Sequence, residues 1–453
     1  METKRLIKLF ILSAFLITGC HLNDIEPTDG IPDDGDGISD NGDDIFVIVD
    51  PNNDELADPK DDELVDPQKM VMYALCPMAT INDGKVRLKW GPVMRDDMLR
   101  PYEIVDPDYI EIFISDNEMS DFRQHIVLEN GGSYSYTIDN LQNGKPYYFY
   151  AVSKKKGFKP LYSGTIMTVP NKRGEIKTLL KSDLFTLGCV SIAKEINKTA
   201  YVNNRYTWDA GSYIAMATSV LISNMDGTAN ELVATNGYQP CWSPQNDRIA
   251  LMTEKRYWPS ISLYDYKTKS IKQLTKDDER CFAPDFSPNG ELLLYQSTKN
   301  TSDEFDTNIW LINLKTGETW QVTDISGLSL HTAEYPRWID NERFLFHGKY
   351  PNEKSQLYES SVSTKQAKKV FESKWSDYAP SISPDQKNIA FISSRSSTNQ
   401  IWLFNINSQT FTQITGYSLN ETCEPGGCKI EWWDDSTITY TVNGDRLIRQ
   451  KIK

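Results

Sequence analysis

The chain is poor in the residues and patterns on which most enzyme chemistry rests. It has 4 histidines in 453 residues, of which His331 and His347 fall in the C-terminal half. It contains no Gly-x-Ser-x-Gly elbow, no His-Glu-x-x-His, no phosphate-cradling glycine loop and no Cys-x-x-Cys pair. Those absences remove the usual marks of serine hydrolases, zinc peptidases, nucleotide enzymes and thiol redox proteins. The Asp-box of sialidases, Ser-x-Asp-x-Gly-x-x-Trp, is also missing. Basic charge is outweighed, with 48 Lys and Arg against 63 Asp and Glu and a net charge of −15, and no basic stripe marks a nucleic-acid interface. After the first twenty residues no apolar run is long enough to cross a bilayer.

What is present begins at the N-terminus. Lys4, Arg5 and Lys8 precede an apolar stretch from Leu9 to Ile17, too short for a comfortable span and shaped like a secretory signal. The stretch ends Ile17-Thr18-Gly19-Cys20, which resembles the lipobox of bacterial lipoproteins. That resemblance implies a signal peptide over 1–19, acylation of Cys20 and a mature chain tethered to a membrane by lipid alone. His21, where an Asp would stand in proteins kept at the inner membrane, implies by the same resemblance the outer membrane of a Gram-negative bacterium, on either its inner or its cell-surface face.

Charge is unevenly placed. Residues 21–68 hold 17 Asp or Glu against the single Lys60, a net −16, so everything after Gln68 is close to neutral. This segment is rich in Asp, Gly, Pro and Asn and has few large apolar residues, so residues 20–69 read as a self-repelling, unfolded tether. Within it, Asp34-Gly35-Asp36-Gly37-Ile38-Ser39-Asp40 resembles a calcium-binding repeat, with Asp34, Asp36 and Asp40 as candidate ligands. Pro32 stands where another Asp belongs and no second repeat follows, so the plain tether is the preferred reading. No cofactor is expected.

Residues 70–171 read as a separate all-β unit. Val86-Arg87-Leu88-Lys89-Trp90 alternates as a half-buried strand does, and Tyr109 to Ile114 reads as another. Leu141 stands six residues before Tyr147, across a turn, and an alternating run follows to Val152. This resembles the tyrosine corner of fibronectin type III domains, with Trp90 as their core Trp. The resemblance implies a small β-sandwich acting as a spacer, with Tyr148 and Tyr150 on its outer surface.

From residue 174 to 453 one phrase recurs. It reads Pro240-Cys241-Trp242-Ser243-Pro244, Pro284-Asp285-Phe286-Ser287-Pro288, Pro336-Arg337-Trp338 and Pro380-Ser381-Ile382-Ser383-Pro384, with a degenerate fifth at Ile430-Glu431-Trp432. The prolines lie 44, 52 and 44 residues apart and the fifth copy follows 50 further on. Repeats of this length holding four short strands signal a β-propeller. Apolar second strands follow each turn, third strands such as Asn308 to Ile312 and Gln400 to Phe404 come next, and fourth strands end in Leu-Thr, Val-Thr or Ile-Thr. The phrase resembles the TolB-like propeller repeat. A divergent first blade runs from about Cys189, and the last has room for three strands, so Glu175 to Leu180 is expected to supply its fourth. The expected fold is therefore all-β: a small sandwich followed by a six-bladed propeller. Trp242, Trp338 and Trp432 recur at one phase and, like Trp310 and Trp402, read as inter-blade packing.

Function in such a ring gathers where loops from all blades converge. The loops entering each first strand carry Tyr238, Glu279, Arg280, Phe282, His331, Glu334, Tyr335, Trp375, Asp377 and Tyr378. Those joining second to third strands carry Tyr206, Trp208, Asp209, Arg256, Tyr257, Trp258, Lys349 and Tyr350. Aromatic faces among charges suit a protein hot spot or a sugar ring. The TolB resemblance implies a protein partner, since that propeller docks a peptidoglycan-associated lipoprotein on its channel face. TolB itself has a different N-terminal domain and no lipid anchor. The reading is thus a monomeric envelope scaffold that binds an envelope protein or peptide. The alternatives are a glycan-binding lipoprotein of a carbohydrate-uptake system, or a glycan-active enzyme using a pair among Glu279, Glu334, Asp209 and Asp377. No catalytic residue is assigned, and the peptidase domain that follows such blades in some enzymes is not expected. Of the seven cysteines, Cys423 and Cys428 flank a turn and form the expected disulfide; the pairing of Cys76, Cys189, Cys241 and Cys281 stays open, with Cys189 and Cys241, at matching blade positions, alternatively small buried hydrophobes.

Overall fold

The computed structural model describes residues 78–452 apart from short stretches, the longest at 96–102 and 419–428. Cys20, Asp34, Asp36, Asp40, Cys76, Arg256, Tyr257, Tyr350, Cys423 and Cys428 lie outside the described residues. Nearly all regular structure among the described residues is antiparallel strand, with one 3-10 turn at Lys194–Ile196. Two compact units are present, one containing 87–138 and 146–167, the other 79–86, 139–145 and 168–453.

The first unit is built on a five-stranded sheet ordered Ile166–Thr168, Tyr147–Lys154, Tyr109–Ser115 and Arg123–Glu129, with Leu161–Tyr162 also pairing Tyr147–Lys154. Tyr147–Lys154 is an interior strand and is buried at every position but the last. Tyr148 and Tyr150 are accordingly not surface residues. Tyr150 stacks on Phe113 at 4.6 Å and meets Phe122 edge-on at 4.9 Å, so both faces of this strand are covered. A separate three-stranded sheet orders Met78–Asn82, Lys85–Lys89 and Ser135–Ile138, and Lys85–Lys89 shows the strict alternation its sequence implies.

The second unit holds six four-stranded antiparallel sheets, the blades of a propeller. The innermost strands are Thr186–Ala193, Gly237–Trp242, Cys281–Phe286, Thr332–Trp338, Asp377–Ile382 and Glu431–Asp434. In the sixth sheet Ile176–Lys181 takes the outer position and pairs antiparallel with Arg446–Lys451. The ring is thus closed by a strand from the start of the unit.

Stability resides between blades more than within them. One buried cluster joins Leu294, Ile309 and Leu311 of the third blade to Trp338, Phe344 and Phe346 of the fourth. Another joins Ile401 and Leu403 of the fifth to Ile438 and Tyr440 of the sixth. A blade removed from its neighbours would expose both apolar faces, at roughly 25 cal/mol for each Å² returned to water. The recurrent Trp serves this packing. The Trp338 Nε1–H donates to the Asp285 carbonyl at 3.1 Å, and the Trp432 Nε1–H to the Ser381 carbonyl at 3.1 Å, each reaching the inner strand of the preceding blade. Trp310 and Trp402 are buried on third strands, at 5% and 0% exposure.

The turns at the rim are fastened by side chains. Ser363 and Ser361 donate to Glu342, the Ser383 hydroxyl and Lys387 N–H to Asp385, and Ser326 and Gly327 to Asp324. These hydrogen bonds hold the three carboxyls below their ordinary pKa values. A carboxyl whose pKa is lower folded than unfolded stabilises the fold above its ordinary pKa and ceases to do so as pH falls through the folded value. The thermal midpoint should therefore hold from neutrality to about pH 5 and fall steeply below about pH 4. A midpoint unchanged down to about pH 3 would show that these turns do not contribute.

Candidate functional site

Five of the six inner strands are interrupted at the repeated phrase. Cys189, Gln239, Ala283, Tyr335 and Ala379 all adopt positive φ, from 37° to 50°, and the ladder to the second strand shifts register there. A left-handed non-glycine residue costs about 1–2 kcal/mol, so its recurrence in five blades marks a built bulge. In four of them proline follows, a residue that has no N–H to leave unpaired where the ladder breaks. The alignment also shows that Cys189 matches Gln239. The counterpart of Cys241 is Ser191, and the expectation that the two cysteines occupy equivalent positions is corrected by the bulge. Cys189, Cys241 and Cys281 are not in disulfides.

The residue that resumes the ladder after the bulge faces the central channel, and Glu431 takes the same place in the sixth blade without a bulge before it, giving one ring position per blade: Ser191, Cys241, Asp285, Arg337, Ser381 and Glu431. These side chains join blade to blade. Glu431 Oε2 accepts the Ile192 N–H at 2.7 Å, Ser191 Oγ the Trp242 N–H at 3.1 Å, and Asp285 Oδ2 the Trp338 N–H at 3.0 Å. The Cys241 sulfur receives the Phe286 N–H in the same way, and burial pushes its thiol pKa up, keeping it neutral. Arg337, which has no acceptor, breaks the pattern.

Lys429 lies beside this ring, 2.7 Å from Glu431 and 3.4 Å from Ser191 Oγ. Burial alone would lower its pKa, but the adjacent Glu431 carboxylate outweighs that and the pKa is raised, so the ammonium stays charged. Arg337 and Lys429 line both a small inner cavity of about 20 Å³ and a wider one of about 320 Å³. The wider cavity opens among the turns that follow the inner strands, at Lys194, Ser243, Asn246 and Trp433. It lies at the opposite end of the inner strands from the loops on which the sequence places a binding face.

On that loop face the expected residues divide. Trp258 is 39% exposed, and the Arg280 guanidinium lies 5.2 Å from its ring centroid and 5.8 Å from that of Phe305, itself 56% exposed. His331 is exposed, its Nδ1 3.0 Å from Asp306. Phe305 and Asp306, on the loop joining the second and third strands of this blade, lie outside the set expected from the sequence; an aromatic residue amid Asp303, Glu304 and Asp306 is the signal that marks them. Tyr335 and Tyr378 are half-buried around His347, with ring centroids 5.4 Å and 5.7 Å from it, and Glu334 lies 3.3 Å from the same imidazole. Burial would raise the Glu334 pKa, but His347 overcomes it and the carboxyl lies below its ordinary range. Tyr238 is half-buried. Tyr206, Trp208 and Asp209 fall on strand Lys198–Asp209, whose backbone alone is described there.

Two of the expected face residues are interior. Glu279 is 7% exposed and accepts the Ser297 hydroxyl at 3.0 Å. Asp377 is 0% exposed and forms a two-pronged pair with Arg395, at 2.9 and 3.2 Å. Around that guanidinium stand Phe371, Trp375, Phe391, Trp402 and Phe411, with ring centroids 4.4 to 5.6 Å away. Burial raises the Asp377 carboxyl above its ordinary value and Arg395 is the chief counterweight. Trp375 therefore supports an internal ion pair. Among the described residues no group of three or more His, Cys, Asp or Glu is placed to hold a metal.

Removing Arg395 leaves a carboxylate buried without its cation. Arg395→Ala should cost about 3–5 kcal/mol in urea unfolding. Trp258→Ala, at the surface, should stay within about 0.5 kcal/mol. An Arg395→Ala cost under about 1 kcal/mol would mean that the aromatic cage does not depend on its ion pair.

No family model matches the chain. Among curated proteins it is 25% identical over 401 residues to a Tol-Pal system protein TolB of Francisella tularensis subsp. mediasiatica, covering 80% of this chain and 87% of that one. A TolB of F. tularensis subsp. holarctica is 25% identical over 360 residues, covering 71% and 79%. Among solved structures, TolB from Acinetobacter baumannii superposes with a TM-score of 0.41 at 18% identity, covering 69% of this chain and 77% of that one. An oligogalacturonate lyase in complex with manganese gives 0.38 at 10% identity, covering 62% and 98%. The sequence likeness to TolB and the six closed sheets agree: this chain carries a TolB-like β-propeller.

Proposed function

We propose that this protein is an envelope docking scaffold whose propeller binds a partner protein through its loop face. The observation that carries the reading is the exposed ridge of Trp258, Arg280 and Phe305. Trp and Arg dominate the binding energy of protein interfaces, and a guanidinium held between two rings loses little freedom on docking. The name of the curated relatives, Tol-Pal system protein, supports an envelope setting and a protein partner of the peptidoglycan-associated kind. In the same reading Cys20 carries the lipid, 20–69 is the acidic tether, 70–171 is a fibronectin type III-like spacer, and the outer membrane is the site of anchoring.

A binding role is favoured over catalysis by the fate of the carboxylates. Glu279 and Asp377 are buried and Glu334 is engaged by His347, so no two of them stand free across the channel. The glycan alternative draws support from the exposed Trp258 indole alone, because Trp375 is committed to the Arg395 cage.

Calorimetric titration of the purified chain with the peptidoglycan-associated lipoprotein of the same bacterium should give a 1:1 complex. Trp258→Ala and Phe305→Ala together should weaken it tenfold or more, about 1.4 kcal/mol or above, with an unchanged thermal midpoint. Retention on a polysaccharide matrix that the same double variant abolishes, with no binding of the lipoprotein, would replace protein docking by glycan binding.

A further inference from the structure

The turn-side cavity has features that ring closure does not require. Four ring side chains accept an N–H from the next blade, but Arg337 cannot, and its position is not explained by that role. Its side chain is 13% exposed, and one amino nitrogen is oriented by Asp285 Oδ1 at 3.2 Å and the Pro336 carbonyl at 3.3 Å. The guanidinium is therefore held in place while further N–H donors border a cavity of about 320 Å³. The nearby carboxylates cannot neutralise an incoming cation freely: Asp285 and Glu431 are each already tied to a backbone N–H and to a basic side chain.

We propose that this mouth is a receptor for a peptide C-terminal carboxylate, with Arg337 as its fork and Lys429 as the second positive charge. A planar guanidinium matches a carboxylate with two parallel hydrogen bonds, and Lys429 adds a point charge from the sixth blade, on the wall of the same cavity. Charge balance selects the kind of anion. Arg337, Lys429 and Lys194 are matched on the cavity wall by Asp285, Glu431 and Glu195. With no net positive field, a polyanion gains little, whereas a single carboxylate on an otherwise neutral chain is recognised by directed hydrogen bonds. The apolar parts of Phe286, Ile382 and Trp433 on the same wall suit the side chain of a terminal residue. The volume is that of a small-ligand pocket and admits a residue or two. The site lies away from the loop face and does not rest on what docks there.

The test is calorimetry on the full purified chain with N-acetyl-Ala-Ala bearing a free carboxylate, its C-terminal amide, and glucuronate. The free acid should bind with a dissociation constant on the order of 1 mM or tighter, and the amide at least tenfold more weakly. Arg337→Gln should lose the free acid. Arg337→Lys should recover part of it, and Trp258→Ala should leave it unchanged. The thermal midpoint of each variant separates lost binding from lost folding. If Arg337→Gln does not fold, the comparison of acid with amide on the native chain decides alone. Equal binding of acid and amide, or no binding of either up to about 10 mM, overturns the proposal. Binding of glucuronate without the peptide acid overturns the peptide reading in favour of an acidic sugar.

Discussion

A buried backbone N–H has to find an acceptor, and in this propeller that requirement falls on the central ring. The N–H that needs this acceptor belongs to the residue three places after the left-handed position. The acceptor comes from the adjacent blade: Glu431 for Ile192, Ser191 for Trp242, Cys241 for Phe286 and Asp285 for Trp338. Leaving such a group unpaired costs about 1–3 kcal/mol, comparable to the strain of the bulge itself. The register of one blade is thereby fixed against the next. The same geometry that aims these side chains at the axis makes them the lining of the channel.

Two arginines show how surroundings decide what one side chain does. Arg395 is fully enclosed, pairs both prongs with Asp377 and lies among aromatic rings. Its role ends inside the fifth blade. Arg337 spends one nitrogen on Asp285 and a carbonyl and borders open space. Both are mostly covered, but only the second is set where an incoming group could reach it.

Architecture was legible in the sequence because the propeller repeats its phrase. Trp338 and Trp432 were read as packing from their phase alone, and their indole hydrogen bonds to the preceding blade show why that phase recurs. The ring was less legible. Cys241, Asp285, Arg337, Ser381 and Glu431 stand in every copy of the phrase between a proline-like residue and an aromatic or apolar one, but their chemical variety hides a shared position. The two-residue offset of Cys189 from Ser191 could not be seen without the bulge. Asp377 looked like a face residue because its partner, Arg395, is 18 residues away across a strand pair. Tyr148 and Tyr150 misled for a simpler reason: alternation predicts one covered face, and an interior strand with Phe113 and Phe122 against it has two.

The closing strand has a mechanical consequence. Ile176–Lys181 enters the sixth sheet at its outer edge, and Glu175 accepts the Lys451 N–H at 2.9 Å. Any pull that reaches Ile176–Lys181 along the chain therefore loads this seam, where the first strand of the propeller pairs with Arg446–Lys451. Rupture there would not detach a blade; it would convert a closed ring into an open spiral, with Leu180 and Leu447 drawn off Leu187 and Tyr201 of the first blade. The seam is the fuse of the ring.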